Sequence, residues 1–216
     1  VLQGMGHQMV LCTYPSGEDL PGIDIRRATV GPWNPPVKVG PARRKYYLDT
    51  LLALRSAQVA LQTHPDIVHT HLHDGAAMGF PVSRLARAPM VFDFQGSLTG
   101  EMIDHGFLKR GSLMYQPFRL AERMINRLAD AVITSTANSA SILMKQFGCS
   151  PDKIFAVPDC VNTDMFAPRW LVERRNGNAD EIANLRRRVG IPDGHKVVVY
   201  LGLLQEYQGI SHLLRA

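Results

Sequence analysis

From Met9 to the end of the chain, short β-branched and aromatic runs alternate with longer stretches whose apolar positions recur every three or four residues. Such alternation predicts a parallel sheet covered by helices, because a parallel connection needs an intervening element to carry the chain back to the same edge. Strands are expected at about Met9–Thr13, Ile23–Arg26, Ile67–Thr70, Met90–Asp93, Ala131–Ser135, Ile154–Val157 and Lys196–Tyr200. Several are continuous apolar runs, as strands buried on both faces should be. Helices are expected at about Ala42–Thr63, Gly75–Ala86, Gly111–Leu128, Ala137–Phe147, Ala179–Val189 and Ile210–Ala216. In the first of them Leu48, Leu51, Leu52, Arg55 and Val59 follow the 3.6-residue period, with the long side chain of Arg55 at the edge of the apolar stripe.

Two breaks interrupt the alternation. Gly31–Pro41 carries Pro32, Pro35 and Pro36 and is expected to be an exposed loop. After Val157 come Pro158, Asp159, Asn162, Asp164 and Pro168, which lead into the charged segment Glu173–Arg188, so a domain boundary is expected near 158–170. The predicted fold class is α/β: a Rossmann-like, mostly parallel sheet with helices on both faces over 1–165. Residues 166–216 then hold a linker and the first βα unit of a second domain, cut short.

Composition narrows the class. Hydrophobic residues make up 45% and charged residues 20%, an ordinary globular balance that excludes disordered, collagen-like and coiled-coil chains. Cys12, Cys149 and Cys160 are odd in number and far apart, so no disulfide framework is expected. The longest nearly apolar run, Val197–Leu204, falls well short of the roughly 18 residues of a membrane span. The formal net charge of +5 is compatible with anionic partners or with a merely solvated basic surface, and alone selects neither. Without the aromatic interleaving of a stacking platform, nucleic acid is not expected as a partner. The opening VLQGMGHQMV lacks the features of a signal peptide and starts with Val1, so the true beginning is expected upstream.

Ligands of open parallel sheets sit beyond the carboxyl ends of the strands, where crossover loops gather and helix N-termini point their N–H groups. Two strands end there in polar residues. The strand at 67–70 runs into HTHLHDG, where His69, His71 and His73 alternate and share one face if the backbone stays extended. Such a triplet can chelate zinc, line a substrate cleft or be satisfied inside the fold; against a metal site stand the order of His73 and Asp74 and the scarcity of further ligands. The strand at 90–93 runs into FQGSLTGEMIDHG, whose Gln95, Ser97, Thr99, Glu101, Asp104 and His105 suit either a binding loop or an ordinary surface excursion. There is no Gly-x-Ser-x-Gly elbow, Walker loop or GxGxxG.

These segments carry a resemblance. DIVHTHLHDG followed by a helix, then VFDFQGSLTGEM, then ADAVITSTANSASILMKQFGCSPDKIFAVPDCVNTDMFAP, resembles the family-4 glycosyltransferases of the two-domain GT-B fold. VPDCVNTDMFAP looks like that family's interdomain signature, and GIPDGHKVVVYLGLLQEYQGISHLL like the first strand and helix of its nucleotide-sugar domain. The resemblance implies an acceptor-side domain over 1–165 and an enzyme that transfers a sugar from a nucleotide-sugar donor to an acceptor hydroxyl. It implies retention of configuration, no metal and no cofactor beyond the donor itself. Implied partners are a nucleotide sugar and an acceptor glycan or lipid-linked sugar, and the implied location is the cytoplasm or the inner membrane face. Gln95 and His105 are the implied catalytic residues; His71, His73, Asp74, Gly96 and Glu101 are the implied substrate-binding residues.

Three departures from the family pattern accompany these implications. Gln95 stands where the family commonly has a histidine touching the transferred sugar, and Leu203 and Gln208 stand where it has diphosphate-holding Arg and Lys. The family's first strand with its Gly-Gly loop is expected before Val1 and its Glu-x7-Glu motif beyond Ala216, so the chain alone is not expected to turn over donor. A nucleotide-sugar epimerase of the same fold, using Glu101, Asp104 and His105, a noncatalytic sugar-binding module and a metal-dependent hydrolase are the alternatives. Finally, Arg43, Arg44 and Lys45 open a helix where positive charge opposes the macrodipole, which suggests an anionic lipid contact or simple solvation.

Overall fold

Among the described residues every strand pairing is parallel. The computed structural model describes residues 2–29, 43–163, 166–168, 171, 179–192, 194–202, 204 and 208–216, the side chains of 43, 44 and 179–182 excepted. β1 (Val10–Thr13) pairs with β2 (Asp24–Arg27) in a two-stranded sheet. β3 (Val68–His71), β4 (Met90–Phe94), β5 (Ala131–Thr134) and β6 (Ile154–Ala156) form a second sheet in that spatial order. The helices of this part are α1 (Arg43–Thr63), α2 (Leu72–Ala86), α3 (Leu98–Asp104), α4 (Tyr115–Leu128) and α5 (Ala137–Phe147). The α/β reading holds, with each of these strands within a residue or two of its expected place.

The core follows from the β4 sequence MVFDF. Met90, Phe92 and Phe94 point to one face and are 0% exposed, packed with Val132, Leu143 and Phe147. Burying each such side chain contributes about 1.5 to 3 kcal/mol. Helix α2 crosses β3 so closely that a Cβ at Gly79 would lie 2.2 Å from Thr70 Cγ2, which reserves the position for glycine. Asp130 joins three elements, accepting from the Met90 backbone N–H at 2.8 Å and pairing with Arg84 of α2 at 3.0 Å. Helix α5 is fixed at both ends: the Thr136 hydroxyl accepts from the Ser139 N–H at 3.0 Å, and Gly148 takes a left-handed φ of 64°.

The chain divides into two compact units, Val1–Pro158 and Asp159–Ala216. In the second unit α6 (Ala179–Arg188) and α7 (Ile210–Arg215) form as expected. The expected strand Lys196–Tyr200 does not: its residues lie outside any sheet, and Val197, Val198 and Val199 are exposed. A strand needs a neighbour to satisfy its backbone, and no described residue of that unit offers one. The expected loop Gly31–Pro41 and position Leu203 lie outside the described residues. The Gln95–His105 segment also departs from expectation, since it contains α3. Ser97 caps that helix, its hydroxyl accepting from the Gly100 N–H at 3.1 Å.

Candidate functional site

Adjacent β3 and β4 end side by side, with His71 directly opposite Asp93. His71 Nδ1 lies 2.9 Å from Asp93 Oδ2, and against a carboxylate oxygen that nitrogen is the donor. Gln95 Nε2 donates to the same Oδ2 at 3.1 Å. Both expected cleft residues therefore meet on one carboxylate at the carboxyl edge of the sheet. The His71 ring is mostly exposed, and its contact with Asp93 uses Nδ1. His69 stacks obliquely on it, ring centroids 4.6 Å apart; burial first, and then the neighbouring His71, hold the His69 pKa below the usual imidazole value.

The histidine triplet does not keep its alternation. The strand ends at His71, and Leu72 adopts φ 61°, a left-handed conformation that costs a non-glycine residue roughly 1 to 3 kcal/mol. That turn swings His73 inward. It is 5% exposed and sits edge-on against Phe92 and Phe94, ring centroids 5.4 and 5.5 Å away. The expectation that His73 lines an open cleft is therefore corrected: it is a core residue. Its Nε2 is 3.8 Å from Glu122 Oε1 on α4. Burial lowers its pKa, while Glu122 and Asn126 pull partly the other way.

Glu122 has no exposed surface and was not legible as a site residue. Its Oε2 accepts from the Thr99 backbone N–H at 3.1 Å and from the Thr99 hydroxyl, and Arg119 Nη1 stands 3.7 Å away. Because Thr99 lies in the first turn of α3, this buried carboxylate holds the loop that carries Gln95 and Gly96. Glu101, also in that first turn, brings Oε1 to 3.0 Å from where a Cβ on Gly96 would sit, so Gly96 gives the carboxylate room. Burial pushes the Glu101 pKa up, with His105 pulling it down. His105 caps the far end of α3, about 12 Å along the helix axis from Ser97, and stacks on Phe107. His105, expected to serve if Gln95 only positions the sugar, thus stands at the C-terminal end of α3, while Gln95 precedes its N-terminus.

Asp74 stands in the first turn of α2, where its charge suits the helix dipole, and binds Lys45. Lys45 is also 3.6 Å from Asp49 of α1, which accepts from the Tyr14 hydroxyl beyond β1. Burial and then the Asp49 contact push the Tyr14 pKa well up. Lys45 is thus committed to two carboxylates, contrary to a role as a solvated or lipid-facing cation, while the Arg43 and Arg44 side chains lie outside the described ones. Among the described residues, no three His, Cys, Asp or Glu side chains converge closely enough to hold a metal ion.

A sequence profile of Glycosyltransferase Family 4 matches residues 1–165. The chain belongs to that family. It is 27% identical over 203 residues to a D-inositol 3-phosphate glycosyltransferase of Thermomonospora curvata, covering 94% of this chain and 45% of that protein. A protein of the same name from Acidothermus cellulolyticus is 27% identical over 199 residues, covering 91% and 41%. The chain thus spans less than half the length of these curated relatives. The sucrose-phosphate synthase of Thermosynechococcus elongatus shares the fold, with a TM-score of 0.69 at 15% identity over 99% of this chain and 50% of that one.

Proposed function

We propose that this chain supplies the acceptor side of a glycosyltransferase that moves a sugar from a nucleotide-sugar donor to an acceptor hydroxyl, with retention and without a metal. The observation that carries the reading is the convergence of His71 and Gln95 on Asp93 at the carboxyl edge of a parallel sheet, the place where such folds bind ligands. With Nδ1 donated to Asp93, His71 offers Nε2 to an acceptor hydroxyl. Gln95 keeps one N–H and its carbonyl for the sugar, so it orients without moving a proton. Asp93 positions both. Glu101 and Asp74 flank this edge as further hydroxyl acceptors, and the backbone at Gly96 lets ligand approach closely.

The names of the relatives suggest the first acceptor to try, D-inositol 3-phosphate. Titrated into the chain and followed by backbone amide shifts, it should perturb His71, Asp93 and Gln95. Removing one hydrogen bond to a charged group costs about 1.5 to 3 kcal/mol, so His71→Ala and Asp93→Asn should each weaken binding roughly tenfold or more. Binding that all of His71→Ala, Asp93→Asn and Gln95→Ala leave unchanged would place the acceptor elsewhere and end this assignment.

A further inference from the structure

Helix α4 packs Ile125 and Leu128 against the core yet leaves other apolar side chains outside it. Its buried positions are Glu122 and Asn126, while Leu120 and Met124 are exposed. At 100° per residue, the outward arc of α4 runs from Arg123 and Arg127 on one flank to Leu120 and Met124 on the other. Leu113, in the turn one residue before the α4 N-cap Met114, is 97% exposed. The connection from α3 adds Phe107, also exposed, with Lys109 and Arg110 beside it. Between His105 and Ala129 the sole acidic residue is Glu122, and it is buried. The exposed surface of this stretch is therefore apolar and cationic, with no carboxylate.

An apolar patch alone has several possible partners. Here the charge decides: an apolar ridge flanked by cations and free of anions matches a surface with an acyl interior and anionic headgroups. Lys109, Arg110 and Arg123 make no ion pair among the described residues, so their charge is available. No helix of the described residues is long and apolar enough to cross a bilayer, so the mode of contact would be shallow. We infer that the segment Phe107–Arg127 docks the protein on an anionic phospholipid surface, with Leu113, Leu120 and Met124 entering the headgroup boundary and the basic residues on lipid phosphates.

Topology adds a consequence. A helix that leads from the carboxyl edge back to the start of the next strand begins at the carboxyl edge, so Leu113 and the α4 N-terminus lie at the end of the sheet that carries His71 and Gln95. Docking there would bring a lipid-linked acceptor to the site. That consequence rests on the proposed reaction, whereas the docking itself does not.

Vesicle flotation tests it with two compositions, pure phosphatidylcholine and phosphatidylcholine containing anionic phosphatidylglycerol. The chain should bind the anionic vesicles only, and less as salt is raised. Each basic residue at such a surface is worth about fivefold in partitioning, so Lys109→Gln, Arg110→Gln and Arg123→Gln together should cost about a hundredfold. Leu113→Ser, Leu120→Ser and Met124→Ser together should abolish binding at unchanged net charge, and Arg43→Gln with Arg44→Gln should leave it intact. All these side chains outside α1 are exposed, and circular dichroism checks the fold; should the triple serine variant unfold, Leu113→Ser alone serves. Equal binding to both vesicle types, or binding undiminished by the Gln triple variant, overturns the proposal. So does a concentration-dependent dimer, broken by Leu120→Ser, in a protein that ignores vesicles, because the patch would then hold a second copy.

Discussion

The β1–β2 pair and the four-stranded sheet use the same parallel pairing over strands of similar length, but they are held by different forces. In the larger sheet β4 has a neighbour on each side and buries Met90, Phe92 and Phe94 completely. In the smaller one Val10 and Leu11 are 37% and 45% exposed. Its carboxyl end is held instead by polar side chains: Arg27 donates to the Tyr14 and Ser16 carbonyls and pairs with Asp19, and the Tyr14 hydroxyl donates to Asp49. Exposed ion pairs are worth about 0 to 1 kcal/mol each, against several for a buried aromatic. Parallel pairing by itself does little; cover on the faces decides which sheet is firm. The smaller sheet should therefore open first, and its amides should exchange with solvent well before those of β4 and β5.

The sharpest way to break that contrast is to remove one apolar side chain from each sheet. Phe92→Ala should lower stability by about 3 to 5 kcal/mol, since the surrounding core cannot collapse fully into the gap. Leu11→Ala should cost no more than about 0.5 kcal/mol, as exposed substitutions generally do. Urea unfolding of the two variants measures both. Similar losses in the two would mean that β1 is covered as well as β4 and would remove the distinction.

A smaller effect separates the two regions through their glycines. At Gly79 an added methyl group would collide with Thr70 Cγ2, and overpacking of this kind costs about 1 to 3 kcal/mol. Gly4, ahead of β1, has nothing within 4 Å of its would-be Cβ. Gly79→Ala should therefore destabilise while Gly4→Ala should not, and thermal unfolding of both gives the answer. A neutral Gly79→Ala would show that α2 can shift off β3, and that the larger sheet is less tightly built than the distance implies.

The same contrast governs what could be read from sequence. Strands β3 to β6 were legible as short runs rich in β-branched or aromatic residues between longer helix-period segments, an order in which length and composition settle what periodicity leaves open. The Lys196–Tyr200 run looked equally convincing and is not a strand, since an apolar run fixes a tendency and pairing supplies the rest. For the site, His71 and Gln95 were legible as residues following buried strands. Asp93 was hidden as a polar residue inside an apolar run, although its place opposite His71 makes it the hub. Helix α3 was masked by Gly100 in its middle, and its one clear signal was Ser97 at the cap. Alternation assigned His73 to the cleft because nothing local announces the left-handed φ of Leu72, a residue that rarely adopts it. Glu122 was invisible for the opposite reason: a glutamate in a charged helix looks like a solvated one until tertiary packing buries it.

The smallest expected effect is a pH dependence that narrows the gap between the two sheets. His73 lies among Phe92, Phe94, Glu122 and Asn126, with Asp74 near enough to act on its charge. Its folded pKa is lowered from 6.5, chiefly by burial. As pH falls below that value the unfolded chain takes up a proton that the folded protein refuses, so stability drops, with a slope of at most about 1.4 kcal/mol per pH unit for one site. Glu101 works against this. Its folded pKa is raised, so its protonation favours the folded state and adds stability as pH falls through the carboxylate range. A single pH profile mixes the two, and the useful quantity is the difference between the wild type and His73→Gln, which keeps a donor facing Glu122 and cannot titrate. Between pH 7 and the onset of carboxylate protonation, near about 4.5, the wild type should lose stability relative to the variant. Amide exchange in β4, corrected for its intrinsic pH dependence, should quicken there while β1 and β2 keep their rates. Parallel profiles for the two proteins would mean that His73 takes its proton inside the fold as readily as outside, and that the larger sheet's core is more accessible to charge than its packing indicates.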